Sequence, residues 1–197
     1  EKCLTCGCRP SMDAEHEDPW GQLFALLGPG HDRALAFARR LSRSSGDGDD
    51  LFQEAVLRAL RKLGDLRDPE RFSSWFYSVI VSVHRNRGRR DFWRRFSSFG
   101  APGRTEEAVA DGHDLAEECE RAQRMARALG SLPAVQREAV VLHDLEGFRV
   151  EEIARIQGGT ASAVKSRLSR GRERLRRHYE RLGIRPTPRL TEGAAHG

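Results

Sequence analysis

The residues near the C-terminus that could do chemistry are mostly cations. The stretch from Arg155 to Arg177, RIQGGTASAVKSRLSRGRERLRR, holds seven arginines and one lysine against a single acid, Glu173. Such a density of positive charge favours a nucleic acid, an acidic protein or a membrane surface as partner. A basic helix on an ordinary bundle, facing only water, would give the same pattern. The net charge of +5 and pI of about 9.4 agree with nucleic-acid binding.

Charge is distributed along the chain in three blocks. Six arginines against one aspartate lie between residues 84 and 95, and eight basic residues against two glutamates lie between 164 and 181. Between these blocks, residues 105–120 hold seven acids and no Lys or Arg. Two basic blocks around an acidic one indicate two modules joined by a linker, each with its own surface for a polyanion.

Residues 150 to 175 have the spacing of a helix-turn-helix. Ala154 allows a close helix crossing, Gly158 makes a left-handed turn, and the apolar Val164 closes the joint. In this motif the second helix lies in the DNA major groove with its N-terminal residues on base edges. The groove-facing candidates are Thr160, Ser162, Ala163, Lys165, Ser166 and Arg167, with Arg170 reaching phosphate.

The fold class is predicted to be all-α, with two small helical domains joined by a flexible acidic linker. Apolar residues recur at helical spacing in 31–41 and 51–63, a third helix can start near Phe72, and no segment alternates as a strand would. Gly88 is expected to bend or weaken that third helix. The predicted divisions are a disordered or non-native extension (1–18), a first domain (19–96), a linker (97–122), a second domain (123–182) and a flexible tail (183–197).

Aromatic and arginine side chains alternate between Arg71 and Arg95. Single-stranded bases are held by stacking planes and cations, and stacking contributes about 1–3 kcal/mol per base. Trp75, Phe76 and Val79 could instead be core residues. In that case the arginines and the loop 64–74 are the better candidates for DNA contact.

Two segments resemble one family. LGSLPAVQREAVVLHDLEGFRVEEIARIQGGTASAVKSRLSRGRERLRR (129–177) is similar to region 4 of the extracytoplasmic-function (group 4) sigma factors of bacterial RNA polymerase. DDLFQEAVLRALRKL and FSSWFYSVIVSVHRNRGRR, within 49–90, are similar to their region 2. The two sets occur in the expected order with a linker between, which is more specific than either set alone.

The resemblance implies a non-catalytic initiation factor without a cofactor, which binds core RNA polymerase and promoter DNA. Region 4 would read the duplex minus-35 element with the residues given above and Arg174. Region 2 would melt the minus-10 element and hold its single strand through Asp65, Arg67, Arg71, Phe72, Ser74, Trp75, Ser82, Arg85, Asn86, Arg89 and Arg90. The polymerase-binding residues would be Asp50, Leu51, Gln53, Glu54 and Leu57. The family also implies an anti-sigma partner and a linker threaded through the polymerase cleft, although a solvated tether would have the same composition.

Three positions depart from the family pattern. Ser82 stands where Asn is common, Gly159 occupies a turn position that is usually apolar, and Ser162-Ala163 replaces the more usual Gly-Thr. The bases recognised by relatives therefore cannot be transferred to this chain.

The remaining residues favour no enzyme and no membrane protein. The longest apolar-leaning run, 75–83, is far shorter than the roughly 20 residues that a span needs, and no secretory leader is visible, so the location is expected to be cytoplasmic. Cys3, Cys6, Cys8 and His16 could bind zinc, or the cysteines could sense redox state, but no second paired motif supports a metal site. Because Met12 follows a chain that starts at Glu1, residues 1–11 are read as an upstream or non-native extension.

A stand-alone helix-turn-helix regulator is the alternative function. A nuclease would need clustered carboxylates, which the pattern lacks.

Overall fold

The computed structural model describes residues 18–42, 44–97 and 113–184, and the side chains of 18–42, 44–90 and 120–184. These residues form helices without any strand, which confirms the predicted all-α class. The helices are α1 (Pro19–Leu27), α2 (His31–Leu41), α3 (Ser45–Arg61), α4 (Phe72–Ser97), α5 (His113–Gly130), α6 (Ala134–Val140), α7 (Val150–Gln157) and α8 (Ala161–Arg181). We call α1–α4 the N-terminal unit and α5–α8 the C-terminal unit.

A close crossing of α2 and α3 organises the N-terminal unit. The Ser44 hydroxyl caps α3 by accepting from the Asp47 amide at 3.1 Å. Gly48 follows within the helix, where an added Cβ would lie 2.5 Å from the Cα of Arg39. The missing side chain lets the two backbones approach, and a bidentate pair from Arg39 to Asp49 closes the crossing at its rim.

Helix α4 buries much of its first half, and exposure rises along the described second half to Arg89 and Arg90. Phe76, Ile80 and Val83 are almost completely buried, and the apolar residues around them form the core of the unit. Gly88 lies inside the helix and does not end it. The helix continues to Ser97.

The helix-turn-helix lies in the C-terminal unit as predicted. Helix α6 continues into one π-helical turn (Val141–Leu145), and α7 ends at Gly158, whose φ of 64° is the left-handed conformation that glycine adopts without strain. Helix α8 packs through Val164, Leu168 and Gly171. An ideal Cβ at Gly171 would lie 2.8 Å from the Cγ2 of Val140, so α6 and α8 also cross closely.

Helix α5 begins earlier than the predicted domain boundary. It starts at His113, so the stretch 113–122, which the sequence assigned to the linker, is helical. Residues 98–112, the rest of that linker with three of its seven acids, lie outside the described part of the chain, as do residues 1–17 and the tail from 185.

The two units pack against each other through α4 and α7 and share one apolar core. Tyr77 of α4 meets the ring of Phe148 edge-on, with centroids 4.8 Å apart. Arg137 of α6 donates to the carbonyl of Leu41, at the end of α2, at 2.7 Å. None of the helices that can be described is long and apolar enough to cross a membrane.

Candidate nucleic-acid interface

Several basic and small polar side chains of α8 have no partner among the described residues. Lys165, Ser166, Arg170 and Arg174 are exposed, and none of them makes a hydrogen bond or ion pair to another described residue. Ser162, Ser166, Arg170 and Arg174 are spaced four residues apart, so they follow one side of the helix. This side gathers most of the residues that the sequence predicted to face the minus-35 element.

Three arginines of α8, Arg172, Arg176 and Arg177, are paired with acids of the protein. Arg172 donates to Asp144 at 3.1 Å. Burial raises the pKa of Asp144, but the hydrogen bonds from Arg172 and His143 outweigh burial, so the pKa is lowered. Arg176 pairs with Glu173 and Glu180, and Arg177 pairs with Glu173, at 2.8–3.0 Å. The paired arginines therefore lie in the second half of the helix, and no described acid compensates the cations of the first half, Lys165, Arg167 and Arg170, which remain available to a polyanion.

Two predicted minus-35 residues also have local structural roles. Thr160 is the N-cap of α8, and its hydroxyl accepts from the Ala163 amide at 3.2 Å. Arg167 donates to the side-chain oxygen of Gln157 at 2.7 Å, across the turn between α7 and α8. Because the side-chain amide of Gln157 is neutral, this contact leaves the positive charge of Arg167 uncompensated.

The predicted minus-10 residues meet at a groove between the units. Its volume is about 340 Å³, and five of the predicted residues line it: Asp65, Arg67, Arg71, Ser74 and Trp75. Asp68 in the same loop pairs with Arg71 at 3.0 Å. Arg155 and Ile156 of α7 form the opposite wall. The C-terminal unit thus covers part of the surface that would receive single-stranded DNA.

Other predicted minus-10 residues are divided between surface and core. Arg89 and Arg90 are exposed, and Arg89 donates to Asn86, while Ser82 is half-buried on α4. Phe72 is only 5% exposed and stacks on Phe76 in the core, with centroids 5.6 Å apart. The expectation that Phe72 stacks on a base is therefore not met by this geometry, because its ring already packs against the aromatic cluster. The core alternative holds for Phe76 and Val79, which are buried, whereas Trp75 is half-buried.

Arg85, another predicted minus-10 residue, contacts the C-terminal unit. Its Nη2 donates to Oε2 of Glu138 at 2.6 Å, and its Nη1 donates to the carbonyl of Gln157 at 2.8 Å. His84 lies 3.3 Å from the same carboxylate. Burial raises the pKa of Glu138, but the hydrogen bonds from His84 and Arg85 outweigh it and hold the pKa below the ordinary carboxyl range.

A second buried carboxylate, Glu146, joins the units on the other side of the contact. Arg40 donates to its Oε1 at 3.0 Å, and the phenol of Tyr77 donates to its Oε2 at 2.8 Å. Burial and the hydrogen bond to Glu146 raise the pKa of Tyr77, so the phenol keeps its proton. Arg33 adds a bond to the Glu146 carbonyl at 2.8 Å. Glu138 and Glu146, each bonded to cations of the N-terminal unit, thus join the two units. Motif reasoning missed both carboxylates.

The predicted polymerase-binding residues lie on α3. Asp50, Gln53 and Leu57 are exposed on successive turns, and the side chain of Leu57 is apolar although the residue is 46% exposed. Leu51 is buried and belongs to the core, so it cannot contact a partner from this position. Glu54 accepts from Arg87 of α4 at 2.7 Å, a bond that braces the two helices.

No group of three or more metal-ligating side chains occurs in the part of the chain that the structure describes. The candidate zinc ligands Cys3, Cys6, Cys8 and His16 lie outside it.

Comparison with known proteins decides the family. The family model of Sigma-70 region 2 matches residues 29–95, and that of Sigma-70, region 4 matches residues 122–175. The ECF RNA polymerase sigma factor SigM of Mycobacterium tuberculosis is 37% identical over 148 residues, which cover 75% of this chain and 72% of SigM. The chain belongs to the extracytoplasmic-function sigma factors. This sigma factor directs RNA polymerase to promoters, as the resemblance implied.

Further relatives share the same two regions. The ECF RNA polymerase sigma-E factor of Escherichia coli K12 is 32% identical over 139 residues, covering 66% of this sigma factor and 73% of that protein. The sigma factor RpoE, solved in complex with the anti-sigma factor NepR from Bartonella quintana, superposes with a TM-score of 0.58 at 28% identity over 82% of this chain and 96% of RpoE. CnrH, solved with the cytosolic domain of CnrY, gives 0.55 at 28% identity over 82% and 88%.

Proposed function

We propose that this sigma factor binds core RNA polymerase through α3 and reads a promoter at two places. The N-terminal half of α8, with its unpaired cations, lies in the major groove of the minus-35 element, and the groove before α4 holds the single-stranded minus-10 element. Polymerase docking uses Asp50, Gln53 and Leu57, which are exposed on one helix. The protein acts in the cytoplasm, where RNA polymerase is, and catalyses no reaction itself.

The partition of charge on α8 carries the minus-35 assignment. Arg170 and Arg174 are exposed and unpaired, whereas Arg172, Arg176 and Arg177 on the same helix are matched by acids. A merely solvated basic helix would have no reason to separate its cations in this way. Phosphate contacts position a reading helix and base contacts specify the sequence. Arg170 and Arg174 therefore hold phosphate, and Ser162, Lys165, Ser166 and Arg167 face the bases.

We call the arrangement in which the two units contact each other the closed arrangement. We infer that this contact must open before the minus-10 element binds. Arg85 cannot hold Glu138 and DNA with the same donors, and α7 walls the groove that the single strand would enter. Polymerase docking would supply the free energy that separates the units.

An anti-sigma factor is the expected regulatory partner. RpoE and CnrH, which superpose on this chain, were each solved with such a partner or with a cytosolic domain bound. The surfaces it would occlude are the exposed face of α3 and the contact between the units.

An electrophoretic mobility assay separates this function from a stand-alone helix-turn-helix regulator. Duplex promoter DNA is incubated with the protein, with and without core polymerase. We expect a specific complex only with core, since the closed arrangement covers the minus-10 groove. Tight, sequence-specific binding without core would favour the regulator. DNA cleavage in the presence of magnesium would contradict a non-catalytic role.

A further inference from the structure

Arg167 contacts Gln157 and Gly159 at the turn of the helix-turn-helix, and we call these two residues its seat. Its Nη1 donates to Oε1 of Gln157 at 2.7 Å, so the last residue of α7 holds a side chain of α8. An ideal Cβ at Gly159 would lie 3.5 Å from Nη1 and 3.7 Å from Nη2. The guanidinium therefore lies directly over the bare backbone of Gly159, in space that a larger side chain would take.

Gln157 is itself fixed by its surroundings. It is only 3% exposed, and its Nε2 donates to the carbonyl of Val135 and to the carboxylate of Glu138, both at 3.0 Å. Because both of these partners only accept, the amide nitrogen must face them and the oxygen must face Arg167. The orientation of the amide is thus determined by the network. A buried glutamine with every side-chain polar atom bonded is a rigid support.

The seat leaves Arg167 able to bind a base. Its partner in the seat is a neutral oxygen, and none of the described acids pairs with it. A guanidinium has five N–H donors, and the contact with Gln157 uses one of them. The donors that remain can form the bidentate contact with O6 and N7 of guanine that arginine makes in the major groove.

We propose that Gln157 and Gly159 are positioning residues that set the direction of the Arg167 guanidinium, and thereby the preference for guanine at one base pair of the minus-35 element. The proposal rests on the proposed role of α8 as the minus-35 reading helix. It also gives a reason for the glycine at position 159, where the family pattern is apolar: a side chain there would occupy the place of the guanidinium.

The test is transcription by core polymerase with this sigma factor on a library of minus-35 sequences. Wild type, Gln157→Leu, Arg167→Ala and the double variant are compared by sequencing their transcripts. Arg167→Ala is expected to reduce the preference at one base pair by roughly tenfold, the usual scale for losing a bidentate contact. Gln157→Leu is expected to lose most of that preference at the same base pair while the other positions keep theirs. Added to Arg167→Ala, it should change nothing further.

A matched pair at position 159 tests the seat without touching the buried network. Gly159 is exposed and has no positive φ, so other residues fit its backbone. Gly159→Val should displace the guanidinium and reproduce the base-specific loss of Gln157→Leu. Gly159→Ala places its Cβ at ordinary contact distance from Arg167 and should keep the preference.

The outcomes separate the proposal from the function on which it rests. If Arg167→Ala leaves every base preference unchanged, Arg167 does not read a base, and both the assignment and the seat are wrong. If Arg167→Ala relaxes one position but Gln157→Leu and Gly159→Val do not, the seat alone is wrong. An equal loss at all positions in Gln157→Leu and in Gly159→Val would mean that these residues only stabilise the fold, which also overturns the proposal.

Discussion

At the scale of single residues, the side chains of α8 differ by their partners more than by their types. Arg170 and Arg177 are both exposed arginines on this helix, but Arg177 lies 2.8 Å from Glu173 and Arg170 has no acid beside it in the described chain. An exposed ion pair contributes little stability, on the order of 0–1 kcal/mol. Its consequence here is that the paired arginine offers no net charge to DNA.

Charge reversal at Arg170 should abolish minus-35 binding while polymerase docking is kept. Arg170→Glu replaces a phosphate contact by repulsion, and we expect at least a tenfold loss of affinity for holoenzyme on a promoter that depends on minus-35. Arg177→Glu is the matched control and should lose no more than a few-fold. Fluorescence anisotropy measures DNA binding, and co-purification with core measures docking. Loss of docking in Arg170→Glu would mean that the surfaces are misassigned.

The sequence predicted which residues are at the surface better than which side chains contact each other. The surface position of Thr160, Lys165 and Arg170 could be predicted from the position of the turn, because a helix wheel assigns exposure. Phe72 and Leu51 were expected on binding surfaces and are buried. Glu138 and Gln157 were missed because a polar residue is expected at the surface, and both are buried. A signal for Glu138 was available: it lies three and four residues before the buried Val141 and Leu142, on the same apolar side.

At the scale of elements, glycines decide how closely helices cross. The sequence predicted α2, α3 and the two helices of the helix-turn-helix from apolar periodicity and the left-handed turn at Gly158. It did not predict α1, which is apolar on most sides. Periodicity gives no information on the distance between two helices, which at the α2–α3 crossing depends on Gly48.

Gly48→Ala should destabilise the protein while Gly46→Ala, in the same helix, should not. The new Cβ at position 48 would lie 2.5 Å from the backbone of Arg39, so α2 must shift, at a cost of about 1–3 kcal/mol. At position 46 nothing lies within 4 Å, and alanine should leave stability unchanged or raise it by up to about 1 kcal/mol. Urea unfolding followed by circular dichroism gives the free energy of unfolding of each variant. Equal effects at both positions would refute the close crossing.

At the scale of the whole molecule, two carboxylates of the C-terminal unit hold cations of the N-terminal unit. Glu138 and Glu146 are each buried and each meet more than one donor across the contact. Removing one partner of such a pair leaves an uncompensated charge, which is strongly unfavourable. The sequence could not predict this contact, since it joins residues up to 113 positions apart through side chains that no local pattern connects.

Glu138→Gln should loosen the contact between the units at neutral pH. The amide keeps the shape but leaves Arg85 without its carboxylate, which should weaken the closed arrangement by about 1–3 kcal/mol. Small-angle X-ray scattering of the free protein should show a larger radius of gyration. Glu173→Gln, whose described partners all lie on α8, is the control and should leave the radius unchanged. An unchanged radius in Glu138→Gln as well would show that the apolar contact alone closes the molecule.

Acid should open the contact through the same residue. The pKa of Glu138 is lowered in the closed arrangement by the facing His84 and Arg85. The stabilisation that ionised Glu138 gives to the closed arrangement is therefore complete above the ordinary glutamate pKa of about 4.3. It is lost as the pH falls through the lower pKa that Glu138 has in that arrangement. The radius of gyration of the wild type should increase in that range. Glu138→Gln should lack this step, and an identical acid transition in both proteins would assign it to other groups.

Run-off transcription with purified core polymerase on a promoter library tests the central claim most directly. The protein is added to core alone, and transcripts are sequenced to recover the promoters used. We expect transcripts only when the protein is present, from promoters that share a minus-35 and a minus-10 element, with minus-35 dependence lost in Arg170→Glu. Transcription that does not depend on the protein, or selected promoters without both elements, would contradict the account.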